Sequence, residues 1–300
     1  MSFTCRAYGL TLRSDMPLQG PQPVEADAAD VIIAEGGVPE ELDHIETATQ
    51  HWSANAMELL LHVPRVGRFY AANGNTIRYQ PLLGVDAATT SGFILGSSLG
   101  ALLHQRRQLV LHAAVIEREG KAFAICGKSG AGKSTTAGWL LEAGARLLSD
   151  DLCVLADQPA PLVLPGYPQA KLTRSALAEL GHDPAGLRML PDEREKFAVP
   201  RTDNFLDQPL PLAGVFVLER VVFDESTISL LRPPQAIVAL VKHTYRRHYV
   251  VASRATQHYA ALDRLVAQVP VWNVRRPAEG HSTQFVVSAI SDAIAQTVAN

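Results

Sequence analysis

The eight residues Gly127-Lys128-Ser129-Gly130-Ala131-Gly132-Lys133-Ser134 satisfy the spacing G-x-x-x-x-G-K-S/T in full. Each residue type in that spacing has a chemical reason. Glycines allow successive backbone N–H groups to turn inward around a phosphate, and a helix that starts at the end of the loop adds its partial positive charge. Lys133 is placed to reach β- and γ-phosphate oxygens, and the Ser134 hydroxyl is placed to ligate Mg²⁺. Thr135 follows directly and is counted with the loop as a nucleotide contact. ATP and Mg²⁺ are therefore the expected cofactors.

A second constellation follows a short helix later, at Ser149-Asp150-Asp151. An acidic pair after a phosphate loop is where a metal ion and an attacking hydroxyl meet in phosphoryl-transfer sites. The competing reading is a turn or helix-capping pair. Two adjacent carboxylates beside a polyphosphate are costly without a cation, which favours the chemical reading. His112 stands in an apolar run upstream of the loop; a lone histidine there is ordinarily a packed core residue.

The surrounding pattern supplies elements to carry these groups. Ala122 to Cys126 is a continuous apolar run suited to a buried parallel strand. Thr135 to Leu141 reads as a helix, with Gly144 where its C-terminus would close. Arg146 to Leu155 reads as one strand carrying the acidic pair. Upstream, Leu109 to Glu117 reads as a strand turning through Arg118-Glu119-Gly120, and Thr90 to Arg107 as a helix with Gly92, Gly96 and Gly100 on one face. Residues 1 to about 85 look β-rich, with strands at Ala7 to Arg13, Val31 to Ala34, Leu59 to Val63, Arg68 to Ala71 and Thr76 to Tyr79. Asn73-Gly74-Asn75 marks a hairpin.

Downstream, Pro159 to Pro168 reads as loop and Lys171 to Leu180 as a short helix. Arg188 to Arg201, broken by Pro191 and Pro200, reads as a mobile loop over the site. A strand is expected at Gly214 to Leu218, helices at Pro234 to His243 and Thr256 to Ala267, a strand at Val269 to Val274, and a last helix at Ser282 to Val298. The organisation expected is a β-rich accessory domain, 1–88, followed by a catalytic domain, 89–300.

Composition narrows the class further. The 300 residues are 47% hydrophobic and only 19% charged, with a net charge of −3. That balance argues against disorder and gives no overall pull toward nucleic acid or a membrane surface. Cys5, Cys126 and Cys153 are odd in number and lack metal spacing, which fits a reduced cytoplasmic protein. The opening residues lack the apolar segment of a signal peptide, and no stretch has the length of a membrane span.

The segment LHAAVIEREGKAFAICGKSGAGKSTTAGWLLEAGARLLSDDLCVL resembles the kinase domain of the HPr kinase/phosphorylase family, whose fold is related to that of phosphoenolpyruvate carboxykinase. The likeness runs on through LPGYPQAKL and LAGVFVLER. YGLTLRSDMPL and SGFILGSSLGALLHQRRQLVLHAAV resemble a subgroup that accompanies ribosomal peptide clusters, including lasso-peptide kinases that phosphorylate a serine of the precursor. The resemblance implies an α/β fold with a P-loop kinase domain and a small β-rich N-terminal domain. It implies that His112 lies near the transferred phosphate, that Lys133 and Ser134 serve nucleotide and metal, and that Asp150 and Asp151 act as general base and metal support. Asp150 is the preferred base and Asp151 the metal residue. Two features depart from the family proper: Thr135 stands where Glu is usual, and the glycine-containing segment for dephosphorylation is missing. Both point away from phosphorylase activity and from HPr as substrate.

The expected activity is ATP-dependent phosphorylation of a serine hydroxyl on a peptide or protein, foremost a ribosomal precursor peptide. An HPr-type or small-molecule kinase, or a non-catalytic nucleotide-dependent regulator, remain the alternatives. A basic residue from a later segment is expected to complete the site, with Lys171, Lys196, Arg201, Arg246 and Arg247 as candidates. The partner is the peptide or protein bearing the acceptor serine, with neither nucleic acid nor membrane; homo-oligomerisation is left open.

Overall fold

The computed structural model describes residues 2–190, 195–222, 226–250, 252–277 and 283–299. It divides into two compact units, Met1–Val110 with Tyr245–Ala261, and Leu111–Thr244 with Leu262–Asn300. The division falls at Val110/Leu111 instead of 88/89. The helix expected to open the catalytic domain belongs to the first unit, as does the returning segment Tyr245–Ala261.

The first unit is built on an eight-stranded mixed sheet. Its order is Phe3–Ala7, Leu10–Ser14, Val31–Glu35, Thr76–Pro81, Gly67–Ala72, Glu58–Val63, Trp52–Ala54 and Thr47–Ala48. The single strand expected over Ala7 to Arg13 is in fact a hairpin. Tyr8 (φ 53°) and Gly9 (φ 72°) turn the chain, so Phe3–Ala7 pairs antiparallel with Leu10–Ser14. At the expected hairpin, Asn73 (φ 56°) and Gly74 (φ 67°) both take the left-handed conformation that a tight two-residue turn requires. Ala87–Phe93, a π-helical turn Ile94–Ser98, and Leu99–Gln105 form the helical stretch beside this sheet, with Phe93 against Phe69 at 5.4 Å between ring centroids.

In the second unit, Lys121–Gly127 lies at the centre of the sheet that matters for the site. It pairs antiparallel with Leu109–Arg118 on one side and parallel with Leu210–Val221 on the other. Leu210–Val221 pairs parallel in turn with Val271–Pro277, whose far edge carries Thr227–Leu230 antiparallel. Ala122 to Cys126 are entirely buried, which is why the run is apolar without alternation. The helix Lys133–Glu142 buries Ala137, Leu140 and Leu141 in a core shared with Phe123, Ile125 and Phe216 of the sheet and Val286, Ile290 and Ile294 of the helix Thr283–Ala299. Truncating a buried phenylalanine in such a core costs roughly 3–5 kcal/mol. The core thus anchors both ends of the loop between strand and helix.

Three local expectations are corrected. Arg146 to Leu155 is two strands, Arg146–Ser149 and Leu152–Leu155, with the acidic pair in the bend between them. Lys171 is not helical: Gln169–Thr173 is a strand pairing with Lys196–Pro200, and the Thr173 side chain caps a helix that begins only at Arg174. The expected mobile loop Arg188 to Arg201 contains Arg188–Met189 and Lys196–Pro200, which pair antiparallel in the same small sheet. Pro191, one of its expected breakers, lies outside the described residues, as does Ser282 at the head of the last helix. Pairing across this sheet satisfies backbone groups that local composition had marked as loop.

Candidate active site

The parallel pair Lys121–Gly127 and Leu210–Val221 delivers the loop to the carboxyl edge of the sheet, where ligands bind in open α/β folds. Gly127 (φ 159°) is at the exit of the strand, and a Cβ there would lie 3.0 Å from the Leu218 carbonyl oxygen. Gly130 (φ 84°) and Gly132 (φ 101°) are left-handed, the conformation that turns N–H groups inward. Gly132 is the N-cap of the helix, so the sequence puts a helix N-terminus at the loop's end. Lys133 is buried and its Nζ donates to the Gly127 carbonyl at 2.8 Å, folding the side chain back along its own loop. Burial lowers the Lys133 pKa, and Asp151, Cys126 and Asp150 oppose that fall.

Asp150 and Asp151 reach the same cleft because the strand has ended. On an extended strand, neighbouring side chains point to opposite faces. Here Asp151 is left-handed (φ 76°), and the Ser149 hydroxyl donates to the Leu152 carbonyl at 2.7 Å across the bend. Lys171 then grips both carboxylates. Its backbone N–H donates to Asp150 Oδ2 at 2.6 Å, and its Nζ pairs with Asp151 Oδ2 at 2.8 Å. His112 Nδ1 lies 3.0 Å from the Asp151 carbonyl and 3.3 Å from Asp151 Oδ1. A carbonyl only accepts, so Nδ1 carries a proton.

This arrangement gives the two aspartates opposite acidities. Burial, reinforced by the Asp151 charge, raises the pKa of Asp150. Burial would raise that of Asp151 as well, but Lys171 and His112 together hold its carboxyl well below the usual carboxylate range. Burial also lowers the His112 pKa, against the pull of the Asp151 carboxylate. Burial pushes the Cys126 thiol up to about 12, which keeps this strand residue out of nucleophilic chemistry.

The cleft has a volume of about 310 Å³. Of the loop, Ser129, Gly130, Gly132, Lys133, Ser134 and Thr135 line it, while Gly127, Lys128 and Ala131 do not. Ala131 is buried at the loop's base and Lys128 is exposed. Among the lining side chains, Lys133, Lys171, Lys196, Arg220 and Arg276 face Asp150, Asp151 and Glu179. The excess of cations suits a polyanion. No group of three or more His, Cys, Asp or Glu side chains among the described residues could hold a metal by itself. Mg²⁺ needs no such cage, since it is commonly held by one or two carboxylates plus substrate phosphates. Ser134 with the adjoining aspartates fits that mode.

Of the basic candidates, Lys171 and Lys196 line the cleft. Arg201 does not line it, and its Nη1 lies 3.4 Å from Glu142 Oε1. Arg246 and Arg247 belong to the first unit, where the Arg246 guanidinium lies 5.8 Å from the centroid of the Tyr245 ring. The sequence reading missed Arg220 and Arg276. The available signal was positional: each is a charged residue at the carboxyl end of an apolar parallel strand, where α/β folds place ligand contacts.

No protein-family model matches the chain, and no curated protein matches it. Among solved structures it is similar to the HPr(Ser) kinase/phosphatase from Coxiella burnetii, at 10% identity, over 63% of this chain and 93% of that one, with a TM-score of 0.35. A likeness this loose carries no argument about chemistry. No helix among the described residues is long and apolar enough to cross a membrane.

Proposed function

We propose that the chain is an ATP-dependent kinase that transfers the γ-phosphoryl group to a serine hydroxyl of a peptide or protein. The observation that carries this reading is one cleft lined by Lys133, Ser134, Asp150, Asp151, His112 and Lys171. Lys133 and the loop N–H groups bind and orient the polyphosphate and offset charge on the transferring group. Ser134 and Asp151 would hold Mg²⁺, which when bound would supply further neutralisation of the phosphate charge. Asp151, kept ionised by Lys171 and His112, suits a metal-supporting role. Asp150, with its raised pKa, suits the general base, because efficiency peaks when the base's pKa approaches the operating pH. It takes the hydroxyl proton as the serine oxygen bonds to phosphorus and the bond to the ADP leaving group breaks.

The acceptor is proposed as a ribosomal precursor peptide of the lasso type, on the resemblance of YGLTLRSDMPL and the Ser91 to Val115 stretch. The test is transfer from γ-labelled ATP to serine-containing precursor peptides, to HPr and to small alcohols, side by side. Label on the peptides alone is the expected result. Label on HPr or the alcohols replaces the acceptor but keeps the kinase. Tight Mg·ATP binding without label on any acceptor leaves a nucleotide-dependent regulator and removes the kinase reading.

A further inference from the structure

Arg276 sits at the end of the strand Val271–Pro277, lines the cleft, and is 7% exposed. Its Nε is buried without a hydrogen-bond partner among the described residues. Its Cα partner across the parallel ladder is Arg220, also on the cleft. Neither arginine has a salt bridge among the described residues; Glu179 lies in the same cleft and offers Arg276 only longer-range attraction. Like charges directly opposite on neighbouring strands destabilise a sheet. A buried guanidinium with an unused donor adds a desolvation cost that only an acceptor recovers. Nothing in the fold of the described residues supplies that acceptor.

The position of the guanidinium says what would. A Cβ built on Gly132 would lie 2.8 Å from Arg276 Nη1, so the side chain rests against the N-cap of the ten-residue helix Lys133–Glu142. A helix N-terminus attracts anions through its exposed N–H groups and dipole. Arg276 brings a second, independent set of donors beside that terminus. We infer that Arg276, backed by Arg220, is an anion-holding residue that binds a phosphoryl oxyanion against the N-terminus of the Lys133–Glu142 helix. The ligand class is a tetrahedral phosphate within a diphosphate or longer chain. In a phosphate loop the backbone N–H groups cradle the α- and β-phosphates, so the group held is shared by ADP and ATP. Gly132 then has two reasons to lack a side chain, its φ of 101° and the close approach of Nη1.

The inference rests on the nucleotide-binding part of the proposed function, and its test separates the two. Calorimetric titration of the full chain with Mg·ADP and with magnesium pyrophosphate is run on the wild type, Arg276→Met and Arg276→Lys, alongside ligand-free melting. Arg276→Met keeps the apolar stem and removes the charge. It is expected to weaken both ligands by roughly ten- to a hundred-fold, the scale of a lost charge-assisted hydrogen bond or pair. The ligand-free protein should melt at an unchanged or higher temperature, because an unpaired buried charge is gone. Arg276→Lys is expected to recover part of the affinity. Unchanged affinity for both ligands in Arg276→Met overturns the inference, as does a large drop in melting temperature in both variants, which marks Arg276 as structural. Arg276-dependent binding of pyrophosphate without binding of ADP supports the anion site and sinks the nucleotide reading. Binding of neither ligand by the wild type overturns both.

Discussion

Gln105 in the first unit and Arg276 in the second are polar and nearly equally covered, at 9% and 7% exposure. Gln105 uses both ends of its amide within the fold: Nε2 donates to the Ala71 carbonyl at 3.0 Å and Oε1 accepts from Gly74 N–H at 2.9 Å. It ties the hairpin turn to the helix Leu99–Gln105, and its burial is explained by structure alone. Arg276 is buried beside another arginine with a donor unused among the described residues. The same contrast separates the glycines. Gly100 makes room for a ring of its own unit, since a Cβ there would lie 2.5 Å from Tyr245 Cε1. Gly132 makes room in front of a charged group at a helix N-terminus. Groups whose geometry closes within the fold serve stability, and groups left open or strained in a cleft mark a ligand.

The largest expected effect lies in the cleft. Lys133→Ala should lower phosphoryl transfer by about 10³-fold, on the scale of a lost transition-state charge contact, while melting shifts little because the buried ammonium is itself costly. Wild-type turnover in a well-folded variant would dissolve the contrast, leaving the loop no different from an ordinary turn.

The aspartates sharpen the comparison inside the cleft itself. Asp150→Asn should keep Mg·ATP binding while turnover falls by roughly 10²–10⁴-fold, the range of a lost general base. Asp151→Asn should raise the Mg²⁺ concentration needed for half-maximal rate, with partial rescue by excess Mg²⁺, and should reduce stability by about 1–3 kcal/mol through the loss of a charged hydrogen-bond partner. The pH dependence has a definite sign. Asp151 has a folded pKa below its unfolded value, so its contribution is fully present above about pH 4 and is lost as pH falls through the depressed folded value. Urea unfolding of wild type and Asp151→Asn should therefore differ at pH 7, with a gap that begins to narrow only below about pH 4 and closes only beneath the depressed folded value. A gap that stays constant with pH assigns the stability to packing instead of charge.

Smaller effects are expected in the first unit. Gly100→Ala should cost about 1–3 kcal/mol by overpacking against Tyr245, with Mg·ADP affinity of the folded protein unchanged. Gly92→Ala should do the opposite. A Cβ there meets nothing within 4 Å, so the exposed helical position gains about 0.5–1 kcal/mol from helix propensity. Chemical denaturation of the pair measures both signs, and equal destabilisation would mean that Gly92 has a packing partner after all.

The phosphate loop, its apolar strand and its helix were readable from Lys121 to Gly144, because hydrophobic run, glycine spacing and cap residues are all local signals. So was the β-rich character of the first residues and the turn at Asn73-Gly74. The bend at Asp150-Asp151 was harder: Arg146 to Leu155 is apolar enough for one strand, and only pairing of both halves beside Leu109–Arg118 forces the chain to break between them. Lys171 was misplaced on a helix for the same reason, since its strand exists through ladder bonds to Lys196–Pro200, residues about 25 positions away.

Sequence alone therefore determined the chemistry on offer: a cradle for phosphates, a lysine, a hydroxyl and two carboxylates within one stretch of about 25 residues. Tertiary structure decided how that chemistry is tuned. Lys171 and His112 set Asp151 apart from Asp150, and Arg220 and Arg276, each more than 80 residues beyond the loop, bring charge from later strands. Acidity depends on burial and on charges a few ångströms away, and parallel pairing is what brings such distant residues to one edge. Neither quantity is written in local spacing.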